Sequence, residues 1–151
     1  KPGLPLDDRK AIHAFLGAAY SGKTKRGGWA VVLRYRSHLR SISGAEENTS
    51  ANRMHIRSAV EALRAVRRPL PLHIYTTSDY LRNGATVWYE KWVASGWRTR
   101  GGKAVSHREL WQELHALLGR LHVDWHVVDK QEAPDEVMQA KRLASDTARR
   151  G

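Results

Sequence analysis

The apolar and polar positions of the chain fall into short segments of two different periods. "KAIHAFL" (residues 10–16) and "GWAVVLRYR" (28–36) carry β-branched and aromatic residues in the alternating, strand-like manner, and "HLRSISGA" (38–45) follows after a hairpin-length turn. The connection "GAAYSGKTKRGG" holds four glycines and reads as a loop. The period then changes. After Ser50, which stands where an N-cap belongs, Ile56, Ala59, Val60, Leu63 and Val66 recur at three- and four-residue steps, the buried stripe of an amphipathic helix. "RRPLP" ends that helix and "LHIYTT" (72–77) is a short buried strand, so strand, helix and strand form a right-handed crossover.

From Ser78 the chain turns helical, with a break at Gly84, and "TVWYEKWVASGW" adds a tryptophan-rich helix before the basic loop "RTRGGKAVSH". Ser106 is placed to cap "HRELWQELHALLGRL", which ends at Gly119, and "HVDWHVV" (122–128) is a fifth strand. Pro134 opens a last helix with Val137, Ala140, Ala144 and Ala148 in register. The order β-β-β-α-β-α-α-α-β-α predicts an α/β fold: a mixed five-stranded sheet flanked by helices over residues 10–151, after an N-terminal arm of residues 1–9.

Length and composition place this pattern in one globular domain. The chain has 151 residues, 41% of them hydrophobic and 27% charged, which is enough apolar material for a single core. Cysteine is absent, which excludes disulfides and thiolate metal sites, and no apolar run approaches the length of a membrane span. Charge changes the picture most. Lys and Arg number 26 against 15 acidic residues, a formal net charge of +11 that favours a polyanionic partner through phosphate contacts and counterion release.

Several strings within this order are specific. "GGWAVVLRYR", "NRMHIRSAVEAL", "YTTSDYLRNGATVWYEKWVASGWRT", "LWQELHALL" and "AKRLA", with tryptophans at 88, 92, 97 and 111, resemble cellular ribonuclease H of the bacterial type from Ala11 to Arg149. The resemblance implies the ribonuclease H-like fold and an activity that cuts the RNA strand of an RNA–DNA hybrid. That activity uses two divalent metals held by four clustered carboxylates, since magnesium wants hard oxygen donors. Placed residue by residue, those carboxylates fall on Gly17, His55, Thr77 and Lys141, and the catalytic loop histidine falls near Gln131. A slip of one residue at either end changes nothing, because Leu16, Ala18, Ala140 and Arg142 are not acidic either.

Such a set moves the local formal charge from −4 to +1, and each charge–charge interaction at about 4 Å is on the order of 4 kcal/mol at an effective dielectric near 20. No metal and no cofactor is therefore expected at these four degenerate metal-site positions, and Asp79, Glu46 and Glu132 are not placed to restore them. His55 reads either as a zinc or general-base histidine, with His13, or as a polar residue filling a vacated pocket. Without cysteine or H-x-x-x-H spacing, the second reading is preferred. Lys141 replaces the metal's charge and attracts a phosphate.

The parts of the resemblance that bind rather than cut are retained. Lys91, Arg98, Arg100 and Lys103 form a basic protrusion among the tryptophans; in the family this region holds the DNA strand. Helical spacing sends Trp92, Trp97 and Trp111 into the core and leaves Trp88 as the contact ring. Ser50 and Asn52 match a hydroxyl and an amide that touch phosphate and minor groove, while Ala51 and Lys23 stand where the family has asparagines. With Arg53 on the helix, the expected nucleic-acid-binding set is Lys23, Ser50, Asn52, Arg53, Trp88, Lys91, Arg98, Arg100 and Lys103.

The expectation is a catalytically inactive domain, not an enzyme. It binds RNA or an RNA–DNA hybrid, without a membrane, among the proteins of a large ribonucleoprotein such as a mitochondrial ribosome. A protein-interaction domain of the connection type is the alternative, and an active hybrid nuclease the third reading.

Overall fold

Strand β1 (Ile12–Tyr20) lies in the middle of a five-stranded sheet, between β2 (Gly27–Tyr35) and β4 (Leu72–Thr76), with β3 (His38–Glu46) and β5 (Val123–Val127) at the edges. The computed structural model describes residues 3–150. The first three strands are antiparallel and β4 and β5 run parallel to β1, so the sheet is mixed as the segment order predicts. As the central strand, β1 is buried on both faces: Ile12, Ala14 and Leu16 join the larger core under helix α1 (Ala51–Ala65), and Phe15 joins a second cluster on the opposite face.

Helix α1 buries the predicted stripe, with Ile56, Ala59, Val60 and Leu63 at most 1% exposed, and Ser50 caps it by accepting a hydrogen bond from the Arg53 N–H. On the other face, helix α5 (Asp135–Arg150) lies across β1, β2 and β3. Its approach is close. A Cβ built on Gly17 would stand 2.3 Å from the Ala140 carbonyl carbon, and one on Gly28 would stand 2.1 Å from the Ala144 carbonyl oxygen. The glycines are thus a seam on which α5 rests.

Three local expectations are corrected. The stretch read as a glycine loop from residue 17 is strand as far as Tyr20 and again from Gly27, because the ladder with β2 continues to the Tyr20–Gly27 pair. Gly84 does not break its helix: α2 (Asp79–Asn83) continues through a π-helical turn (Gly84–Trp88) into α3 (Tyr89–Ala94). Ser106 does not cap α4 (Arg108–Leu118). The cap position is His107, in a left-handed conformation (φ 64°) with no side-chain cap bond. Of the expected arm, Leu4 and Leu6 pack against the second cluster, while Lys1, Pro2 and the terminal Gly151 lie outside the described residues. Among the described residues, no helix is long and apolar enough to cross a membrane.

Candidate nucleic-acid interface and basic pocket

Pairing between the parallel strands β1 and β4 runs as far as Phe15 and Tyr75; β4 ends at Thr76, while β1 continues to Tyr20. In open sheets of this kind, ligands enter at the carboxyl ends of parallel strands. Here a cavity of about 150 Å³ lies past that point, lined by Leu16, Gly17 and Ala18 of β1 and by Thr77 just after β4. Gly17, His55, Thr77 and Lys141, far apart in sequence, all line it, so the structure brings the four singled-out positions together. Each arrives by a different element: β1, the first turns of α1, the end of β4 and the second turn of α5.

The electrostatics of the cavity are cationic. Lys141 donates to the Ala18 carbonyl at 2.7 Å, and Lys130, on the loop after β5, lines the same space. No carboxylate does. Glu46 is engaged by Arg53 and Arg57, Asp79 is 74% exposed and faces Arg82, and Glu132 is exposed. Burial lowers the His55 imidazole to about 4, with the charges of Lys141 and then Lys130 adding to the effect. His55 Nδ1 is buried with no hydrogen-bond partner. Burial, and then Lys130, also lowers Lys141 from the usual lysine range. Sequence reasoning missed Lys130, since a loop lysine carries no periodic signal and only its neighbour Gln131 was marked. His13 lies elsewhere, hydrogen-bonded to the Tyr75 hydroxyl and the Asp8 carbonyl, so it forms no pair with His55. Among the described residues, no group of three or more His, Asp or Glu is arranged to hold a metal ion.

The expected binding residues divide by how they are already employed. Arg53 reaches Glu46 at 3.2 Å and Glu109 at 2.6 Å, joining the end of β3, α1 and α4. Arg57 and Arg64 likewise pair with Glu46, Glu61 and Glu113. The α1 arginines are therefore occupied by carboxylates of the fold, and the broader surface read from them is smaller than their number suggests. Lys23, Asn52, Lys91, Arg98, Arg100 and Lys103 are exposed, and none of these four protrusion cations has an ion pair among the described residues.

The tryptophans sort by depth. Trp97 and Trp111 are core, and Trp92 packs against it. Trp88 is half-buried at the outer edge, with its ring centroid 6.0 Å from those of both Tyr80 and Trp92.

Comparison with known proteins fixes the family and corrects the functional expectation. The chain matches the family model for RNase H over residues 9–149. A ribonuclease H of Alkalilimnicola ehrlichii is 42% identical over 134 residues, covering 89% of this chain and 92% of that protein. One from Halorhodospira halophila is 40% identical over 139 residues, covering 92% and 93%. Among solved structures, the crystal structure of LC9-RNase H1, a type 1 RNase H with the type 2 active-site motif, matches with a TM-score of 0.80 at 25% identity, over 92% of this chain and 72% of that one. A foamy viral protease-reverse transcriptase in complex with RNA/DNA hybrid shares the fold, with a TM-score of 0.73 at 17% identity, over 100% of this chain and 22% of that one.

Relatives this similar over nine-tenths of the chain bear the name of an enzyme, which overturns the expectation of an inactive, non-enzymatic protein. The ribonucleoprotein scaffold and the mitochondrial ribosome fall with it, since these relatives are bacterial ribonucleases H. The physical reason is that a basic surface selects a polyanion without saying which one. The hybrid nuclease, ranked third from the sequence, is the reading the relatives favour. By the family match and by these relatives, the chain belongs to the ribonuclease H family.

Proposed function

We propose that the ligand of this chain is an RNA–DNA hybrid and, following the activity its relatives are named for, that the hybrid is its substrate. The observation that carries this is similarity to ribonucleases H along almost the whole chain, joined to a protrusion whose cations are free to meet phosphates. Phosphate contacts supply affinity and register, and the exposed donors at the start of α1 and on the protrusion are of the type that makes them.

In the same reading, Gly17, His55, Thr77 and Lys141 stand where the family holds its metals. Their chemistry does not fit a divalent pair. The cavity offers an imidazole, a hydroxyl and two ammonium groups, and Lys141 is held at the sheet by its bond to Ala18. Hard cations need several anionic or carbonyl oxygens, and no catalytic step is derived through a metal bound by these side chains.

The test is a hybrid carrying a labelled RNA strand, compared with duplex DNA of the same sequence, scored for binding and for RNA-strand cleavage with and without magnesium. Tighter binding of the hybrid is expected; equal affinity for the two duplexes, or none for either, refutes the reading. Within that assay, changing Lys91, Arg98 and Arg100 together to Ala is expected to weaken binding and flatten the slope of log affinity against log salt by about two to three units. An unchanged slope removes the protrusion from the interface. Trp88→Ala is expected to weaken binding by roughly 1–3 kcal/mol if the ring meets a base or sugar. A fall in stability with unchanged binding marks it as support for Tyr80 and Trp92.

A further inference from the structure

The cavity beside β1 is lined by two cations that have no ion pair among the described residues. Lys130 and Lys141 both line it, and among its lining residues there is no carboxylate. This differs from helix α1, where Arg53, Arg57 and Arg64 each have a glutamate. Burial lowers Lys141 from the usual lysine range, and the charge of Lys130 adds to the effect. A fold that places like charges in one small space without a counter-charge gains by admitting an anion there.

Two further observations define what kind of anion. The remaining polar groups are neutral donors or acceptors: the Thr77 hydroxyl and the His55 imidazole, whose Nδ1 is buried and unpartnered. The cavity, of about 150 Å³, has room for a few waters or for one tetrahedral oxyanion, and not for a nucleoside.

We propose that this cavity is a phosphate site, taking a single phosphate group directly on the ammonium groups of Lys130 and Lys141, with Thr77 and His55 completing its hydrogen bonds. Resting on the hybrid-binding reading above, the phosphate belongs to the backbone of the bound nucleic acid, which meets the cavity at the carboxyl ends of β1 and β4. The ammonium pair holds it without an intervening metal ion. Lys141, fixed on the Ala18 carbonyl, gives the site a set position, while Lys130, on its loop, closes on the phosphate from the other side.

The experiment follows the backbone amides of Gly17, Ala18, His55 and Thr77 by NMR while inorganic phosphate, and separately magnesium, is added to the intact protein in a phosphate-free buffer. Phosphate is expected to shift these amides saturably. The double variant Lys130→Gln, Lys141→Gln, which keeps a donor within reach of Ala18 while removing both charges, is expected to abolish the shifts. In hybrid binding the same variant is expected to lose about tenfold or more in affinity and to flatten the salt slope by roughly one unit; a chelator is expected to leave wild-type binding unchanged.

Absence of a saturable phosphate shift in the wild type, an equal shift in the double variant, or a saturable magnesium shift at these amides in place of the phosphate one overturns the proposal. A chelator-sensitive loss of hybrid binding does so as well. Phosphate shifts in a protein that fails to bind hybrid support the site and sink the hybrid reading, so the two claims separate.

Discussion

Gly17→Ala is expected to lower the stability of the protein by about 3 kcal/mol or more, and Gly28→Ala by a similar amount. A methyl group at Gly17 meets the backbone of α5, with the Ala140 carbonyl carbon at 2.3 Å, its oxygen at 2.4 Å and the Lys141 nitrogen at 2.5 Å. Backbone cannot turn aside as a side chain does, so the whole helix must shift off β1 and β2. Overpacking typically destabilises by 1–3 kcal/mol, and a clash with main chain belongs at or beyond the upper end. For a chain of this size that corresponds to a fall in melting temperature of roughly 6–12 °C. Gly22→Ala, where nothing lies within 4 Å, is the control and is expected to be near neutral. Urea denaturation of the three variants decides the matter, and a Gly17→Ala protein as stable as Gly22→Ala would show that α5 does not rest on the glycine seam. The seam also bears on the basic pocket. A carboxylate introduced at position 17 displaces the helix that carries Lys141, so it alters the pocket twice.

Acidification is expected to destabilise the fold well before its carboxylates titrate. The unfolded chain protonates His55 near its ordinary value of 6.5, while in the fold burial and the two lysines hold the imidazole neutral down to about 4. Below pH 6.5 the unfolded state therefore binds the extra proton, and stability falls as the pH drops through that interval. Above it His55 contributes no pH dependence. Between roughly pH 7.5 and roughly pH 4.5 the loss from His55 alone is about 2.5 kcal/mol. His13, His107 and His126 are all lowered chiefly by burial and add in the same direction. Urea midpoints across this range, for the wild type and for His55→Gln, test the assignment. Parallel curves for the two proteins would show that His55 is not the group responsible.

What the sequence disclosed, it disclosed through periodicity. The stripe from Ile56 to Leu63 and the alternation in β1 and β2 follow from the geometry of helix and strand, so the element order and the sheet were legible. Residues 17–19 were not, because Gly, Ala and Ala carry no strand propensity. They are strand because β2 supplies a continuing ladder and because α5 requires small residues there. His107 escaped for a related reason: a left-handed cap is a property of the backbone path, and Ser106 carries the stronger local signal.

Of the pocket, Gly17, His55, Thr77 and Lys141 were legible only through family resemblance, since no spacing rule unites β1, α1, β4 and α5. Lys130 needed the structure, as did the pairing of Arg53, Arg57 and Arg64 with Glu46, Glu109 and Glu113, because those partners lie on other elements, 7 to 56 positions away. The functional expectation failed at a different point. It let four positions outweigh the remainder of the chain, whose likeness is to enzymes.

Arg53 has a mechanical meaning for the duplex binding proposed above. Its guanidinium ties the start of α1 to Glu46 on the sheet and to Glu109 on the helix that follows the protrusion. On the proposed function, the two regions that would meet nucleic acid are thereby set as the jaws of a caliper. Duplexes of one sequence differ in the width and depth of their grooves according to whether they adopt A-like or B-like form. A caliper with fixed jaws sorts them by size before any base is read. The jaw on the Glu109 side, where that carboxylate is 67% exposed, is the one that salt loosens first.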